Sequence, residues 1–199
     1  MNLPNKLTVS RFALTAIFLW ILFCPWQIPL RHTLALLIFS LGSFTDFLDG
    51  KIARSRKLIT NFGILMDPLA DKILTCSAFI AFVESTHLNS EPVKVAAWMV
   101  IVIVARELAI TGLRLLAASK NLVLAAERFG KHKTISQIVA ILALLIVDAL
   151  HEWPACLQKN FDGWMVPFAK IALWLTVVLT ALSGLIYLWR NRALYLEDV

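Results

Sequence analysis

Two pairs of aspartates, Asp46 with Asp49 and Asp67 with Asp71, lie inside apolar stretches long enough to cross a bilayer. Ionised carboxylates are costly in hydrocarbon, and residues of this kind face a polar interior and mark a functional site. Four of them in 26 positions need cations between them, or they would repel one another and take up protons. The fold must therefore bring apolar helices together around an acidic cavity.

The rest of the chain fits a membrane setting. Apolar residues make up 59% of the 199, against roughly 45–50% in soluble domains. Six candidate spans fall at about 10–30, 33–54, 63–84, 94–118, 133–151 and 165–190, each near the twenty or so residues that a crossing helix needs. The expectation is an all-α polytopic membrane protein with six transmembrane helices, forming one membrane-embedded domain over residues 1–199. Pro25 and Pro29 interrupt the first span, so its far end should kink or leave helix. The mixed polar and apolar run Asn2–Arg11, with Pro4 near its start, fits a short N-terminal helix on the membrane surface.

Charge sets the orientation. Lys51, Arg54, Arg56 and Lys57 follow span two, and Lys120, Arg128, Lys131 and Lys133 follow span four. Lys6, Arg11, Arg190 and Arg192 flank the two ends, whereas the other loops mix Lys94 and Lys159 with Glu84, Glu91, Glu152 and Asp162. By the positive-inside rule both termini and the loop joining the aspartate pairs face the cytoplasm; only Arg31 weighs against this. The net charge of +6 is then accounted for by anionic lipid, with no nucleic-acid partner. Cys24, Cys76 and Cys156 have no metal-ligand spacing and read as small apolar fillers, their odd number arguing against a disulfide framework. Phe12–Phe23 lacks a small-residue cleavage site, so the first span reads as retained.

Residues three or four apart share a helix face. Asp46 and Asp49 therefore project together from the cytoplasmic end of span two, and Asp67 and Asp71 from the start of span three. The short basic loop between them makes the two spans antiparallel neighbours. Oxygen-only ligands favour Mg²⁺ or Mn²⁺ over Zn²⁺, and two such ions would neutralise four aspartates. Gly50, Ala53 and Gly63 leave room for a ligand against the backbone, although small residues also serve close helix packing. Arg54 can make charge-assisted bonds to phosphate.

A second polar set lies on spans four and five. At 1.5 Å per residue, Arg106 is about 18 Å in from residue 118 and Asp71 about 12 Å in from Gly63, comparable depths for one cytoplasm-facing cavity. Arg106 and Arg114 are candidates to bind an anionic substrate, with Glu107 orienting them; the structural alternative pairs the arginines with Glu107 and Asp148. Lys131 and Lys133 are candidates for the same anion or plain positive-inside residues. Asp148, near the outer end of span five, reads as structural.

The acidic stretch matches D-x2-D-G-x2-A-R-x8-G-x3-D-x3-D at all eight fixed positions and so resembles the CDP-alcohol phosphotransferase family. Asn2–Arg11, Ala105–Arg114 and Gly130–Gln137 extend the resemblance to the branch that uses a glycerol phosphate acceptor. The last span matches in hydropathy only, and Ala125, Glu127 and Arg128 follow the branch less closely. The resemblance implies a six-helix homodimer with two divalent ions, facing the cytoplasm from a bacterial cytoplasmic membrane. It implies transfer of a phosphatidyl group from CDP-diacylglycerol to sn-glycerol 3-phosphate, releasing CMP. On this chain Asp46, Asp49, Asp67 and Asp71 would ligate metal, with Asp71 also the general base. Gly50, Ala53, Arg54 and Gly63 would hold the CDP part, with Asn5 and Thr8 touching it from the N-terminal helix. A dianionic acceptor gives the deep arginines a purpose that an uncharged alcohol would not. Rival readings are a sibling enzyme making cardiolipin, phosphatidylserine or phosphatidylinositol phosphate, a divalent-cation transporter, and a structural scaffold. The transporter leaves Gly50, Ala53, Arg54 and the arginines idle and lacks an outward polar path beyond Lys72.

Overall fold

The computed structural model describes residues 3–26, 28–56, 61–88, 93–120, 122, 128–192 and 194, without the side chains of 3–8, 46–56, 61–68, 71, 85–88, 119, 128–132 and 162. Six helices account for most of them: α1 (Leu3–Phe23), α2 (Arg31–Arg56), α3 (Asn61–Leu88), α4 (Ala97–Ser119), α5 (Arg128–Leu150) and α6 (Ala155–Arg190). There is no strand among the described residues. Each candidate span of the sequence coincides with one helix. The N-terminal segment is not a separate short helix: α1 runs unbroken from Leu3 through the first apolar stretch.

Proline ends α1 as its chemistry requires. Cys24 N–H donates to Trp20 O at 2.8 Å, and Pro25 has no N–H to continue the ladder. The chain then reverses through Leu30, whose φ of 54° is left-handed, an uncommon conformation for a branched side chain. Arg31 secures the reversal by donating to the carbonyl oxygens of Cys24 and Trp26.

The start of α2 is tied to the turn between α5 and α6. Backbone N–H groups of His32 and Thr33 donate to the two Glu152 carboxylate oxygens at 2.7 and 2.9 Å. Thr33 Oγ1 also donates to Glu152, at 2.7 Å, and accepts from Trp153 Nε1 at 3.0 Å. A carboxylate thus caps first-turn donors that would otherwise lack partners, at the end where the helix dipole favours negative charge.

Helix α5 carries much of the core. Ala140, Ile141, Ala143, Leu144, Leu145 and Val147 are buried, joined by Phe18, Phe39, Phe79, Ile103 and Leu173 from five other helices. Helix α1 packs extensively on both α2 and α3, which touch each other less, so α1 flanks the pair of helices that carry the aspartates. Between lipid-bathed helices association depends on close packing, and small residues permit it. Gly42 illustrates this: a Cβ there would lie 2.9 Å from Leu74 Cδ2.

The exterior is apolar. Trp20, Trp26, Trp98, Trp164, Trp174 and Trp189 are each about half exposed or more, as are Ile101, Leu108, Ile171 and Leu185. Among the described residues, two helices, within 133–150 and 163–190, are long and apolar enough to cross a membrane. This surface is that of a membrane protein. Cys24, Cys76 and Cys156 are free thiols, the first buried and the last exposed in the first turn of α6.

Candidate active site

The acidic half rests on α2 and α3. Asp46, Asp49, Gly50, Ala53 and Arg54 fall in the last eleven residues of α2, and Gly63, Asp67 and Asp71 in the first eleven of α3. Their side chains lie outside the described residues, as do those of Asn5, Thr8 and Lys131. Backbone register still relates the pairs. From the Gly42–Leu74 approach, counting along two antiparallel helices puts Asp46 level with Ala70 and Asp71, and Asp49 level with Asp67. Among the described residues no three His, Cys, Asp or Glu side chains gather as a metal site. An all-oxygen donor set at one level fits Mg²⁺ or Mn²⁺.

The basic half is built by α4 and α5. Lys133 is ion-paired through Nζ with Glu107 Oε1, and Arg106 Nη1 reaches the same oxygen at 3.3 Å. All three are deeply placed, the side chains of Arg106 and Glu107 being 13% and 7% exposed. One carboxylate therefore serves two cations in a low-dielectric setting, where charge-assisted bonds are strong. The Arg106 stem runs against α6 at Gly184, where a Cβ would stand 2.6 Å from Arg106 Cγ. Glycine there makes space for the arginine.

Lys72, the neighbour of Asp71, joins the two halves. Its Nζ donates to Thr111 Oγ1 on α4, and Thr111 Oγ1 in turn donates to the Glu107 carbonyl at 2.7 Å. Helix α3 is thus pinned to α4 one turn from Glu107, and Arg106 lies about 8 Å along α4 from Thr111. Lys72 and Thr111 were not among the residues singled out in the sequence; the signal was a lysine directly after the last aspartate, easily read as an ordinary interface charge.

Arg106 and Lys133 come together, whereas Arg114 points elsewhere. Its guanidinium lies over the Tyr187 ring of α6 at 5.9 Å, a cation–π contact. It is exposed and sits beside the small α4–α6 cluster of Ile110, Leu113 and Tyr187. Asp148 lines a small cleft with His32 and Glu84, remote from Arg106. Beside the basic cluster, Gln137 lies one turn along α5 from Lys133 and is 2% exposed. Its Nε2, and Thr180 Oγ1 on α6, are buried without a hydrogen-bond partner among the described residues, so polar capacity remains in this wall.

A family model described as CDP-alcohol phosphatidyltransferase matches residues 1–182. The chain belongs to this family. It is 42% identical over 200 residues to a CDP-diacylglycerol–glycerol-3-phosphate 3-phosphatidyltransferase of Bacillus subtilis, covering 96% of this chain and 95% of the relative. A Rickettsia bellii protein of the same name is 33% identical over 186 residues, covering 94% and 93%. One from Haemophilus influenzae is 29% identical over 203 residues, covering 100% and 97%. Membership thus extends over nearly all of the helical unit, including α6 up to Leu182, where the sequence showed only hydropathy.

Proposed function

We propose that the chain transfers the phosphatidyl group of CDP-diacylglycerol to sn-glycerol 3-phosphate, giving phosphatidylglycerophosphate and CMP. The observation that carries this reading is the Lys72–Thr111 contact, which sets the Arg106–Glu107–Lys133 cluster beside the helix bearing Asp67 and Asp71. In this reading an acidic site serves the nucleotide-lipid donor and a cationic site on the neighbouring helices serves the phosphorylated acceptor. Full-length similarity to relatives named for this reaction supports it.

In this reading Asp46, Asp49, Asp67 and Asp71 hold two divalent ions, Mg²⁺ or Mn²⁺. Bound there, the ions supply Lewis-acid polarisation of the donor pyrophosphate. Gly50, Ala53 and Gly63 let the CDP part lie against the backbone, Arg54 bonds its phosphate, and Asn5 and Thr8 reach it from α1. Arg106 and Lys133 fix the acceptor phosphate, with Glu107 orienting both cations; Lys131 and Arg114 lie nearer the entrance and draw the dianion in. Asp71 removes the proton from the acceptor 1-hydroxyl as that oxygen attacks the phosphorus bearing the diacylglycerol. The phosphorus–oxygen bond to CMP breaks, and CMP leaves with the electron pair.

The same reading makes residues 1–199 one domain with six membrane crossings. The loop charges give both termini and the acid site a cytoplasmic aspect at a bacterial inner membrane, and the protein works as a homodimer among membrane lipids. The test is CMP release from CDP-diacylglycerol with a panel of acceptors. Release with sn-glycerol 3-phosphate supports the assignment, and release only with another alcohol moves the chain to a sibling activity.

A further inference from the structure

Among the described residues Arg11 is the largest charged side chain that the fold buries completely. It is 1% exposed, although loop-charge counting treats it as one more positive-inside residue. It lies on the stripe of α1 formed with Thr15, Phe18 and Ile21, all 6% exposed or less. That stripe faces α2 and α3, since the Phe18 ring packs on Phe39 with centroids 5.9 Å apart. A guanidinium taken out of solvent needs an anion to offset its desolvation, and Arg11 is engaged within the chain.

Three separate contacts fix its level. Arg11 is seven residues before Phe18, and Asp46 is seven after Phe39. Because α1 and α2 run antiparallel, Arg11 and Asp46 stand at one height. Phe23 and Glu84 line the same clefts, and twelve residues back along the parallel pair α1 and α3 sets Arg11 beside Asp71 and Lys72. The Gly42–Leu74 approach closes the triangle, with Asp46 level with Asp71.

Elimination points to the same cluster. Helices α2 and α3, the neighbours of α1, carry five carboxylates: Asp46, Asp49, Asp67, Asp71 and Glu84. Glu84 is about 18 Å further along the helices, at 1.5 Å for each of twelve residues. Glu107 is taken by Lys133 and Arg106, and Glu152 caps α2. We infer that Arg11 is a positioning residue of the acidic site, acting from α1 at the level of Asp46 to order the carboxylates proposed to bind metal. The inference rests on the acidic cluster being the metal site proposed above.

The test uses full-length protein freed of metal by chelation, with Mn²⁺ alone as the probe. Thermal midpoints are measured without metal for wild type, Arg11→Met, Asp46→Asn and the double variant. Mn²⁺ affinity is read from the spectroscopic signal of the free ion. Arg11→Met is expected to weaken Mn²⁺ binding about tenfold or more, as removal of a partner that orients a metal ligand does. Arg11→Lys should weaken it too, by less. The double variant should melt no lower than Asp46→Asn alone. Loss of a charge that merely stands nearby would instead tighten cation binding. Unchanged or tighter Mn²⁺ binding in Arg11→Met, or midpoint losses that add in the double variant, overturn the inference. Should Arg11→Met not fold, Arg11→Lys and its double with Asp46→Asn give the same two readings. Wild-type protein that binds no Mn²⁺ removes the metal reading of the acidic site, whereas wild-type binding that the Arg11 variants leave intact removes only the role of Arg11.

Discussion

Lys133 on α5 and Glu107 on α4 form an ion pair closed off from solvent, their side chains only 4% and 7% exposed. Arg106 shares the same carboxylate oxygen, so one carboxylate serves two cations. In the proposed reading these two cations receive the acceptor phosphate.

Glu107→Gln leaves both cations but removes the anion that Glu107 supplies. Breaking a buried pair in this way is worth about 3–5 kcal/mol, so the variant should melt well below wild type. A bound acceptor phosphate would restore negative charge. sn-Glycerol 3-phosphate is therefore expected to raise the melting temperature of Glu107→Gln more than that of wild type. Equal or absent shifts in a thermal unfolding assay contradict an acceptor phosphate at this cluster.

Arg106 should control the acceptor and leave the donor alone. A hydrogen bond to a charged group contributes about 1.5–3 kcal/mol, so Arg106→Ala should raise KM for glycerol phosphate roughly tenfold or more. KM for CDP-diacylglycerol should stay near wild type. Gly184→Ala should shift the same constant in the same direction, because its Cβ would stand 2.6 Å from Arg106 Cγ. A uniform loss of folded protein in both variants, with unchanged constants in what remains, favours a purely structural Arg106.

Part of this arrangement was readable in the sequence. Pro25 ended α1, the aspartate spacing put each pair on one helix, and six apolar stretches became six helices. The basic cluster was legible because Arg106 and Glu107 interrupt an apolar run, yet Arg106 and Arg114 had looked equivalent. They diverge because Tyr187 gives Arg114 a ring to lie on, and nothing in α4 alone reveals its α6 neighbour. The same limit hid the Lys72–Thr111 tie and the burial of Arg11. Counting loop charges treats every cation alike, whereas packing decides which are solvated. Glu152 was likewise read as a loop charge, since its partners His32 and Thr33 lie about 120 residues away.

Glu152 holds two helix ends together far from the acidic site. Glu152→Ala removes charged hydrogen bonds to two part-buried backbone donors and one hydroxyl, and a hydrogen bond to a charged group contributes about 1.5–3 kcal/mol at most where it is only partly shielded from solvent. A melting temperature lowered by several degrees is expected, with turnover per folded molecule close to wild type. Lost turnover at unchanged stability would contradict a structural role.

Asp71 is the proposed base and the last of the four acidic ligands. Asp71→Asn keeps the shape but can neither take the proton nor carry the charge. Turnover should fall by at least about a hundredfold, with CDP-diacylglycerol binding largely retained. Near-normal CMP release from this variant removes Asp71 as base.

The acceptor is the central claim, and it is measured directly. Purified protein is given CDP-diacylglycerol, Mg²⁺ or Mn²⁺, and in turn sn-glycerol 3-phosphate, glycerol, serine, inositol phosphate and phosphatidylglycerol, with CMP release followed. The predicted result is CMP released with sn-glycerol 3-phosphate and a product lipid carrying a terminal phosphate. CMP release with another acceptor, and none with sn-glycerol 3-phosphate, would contradict it.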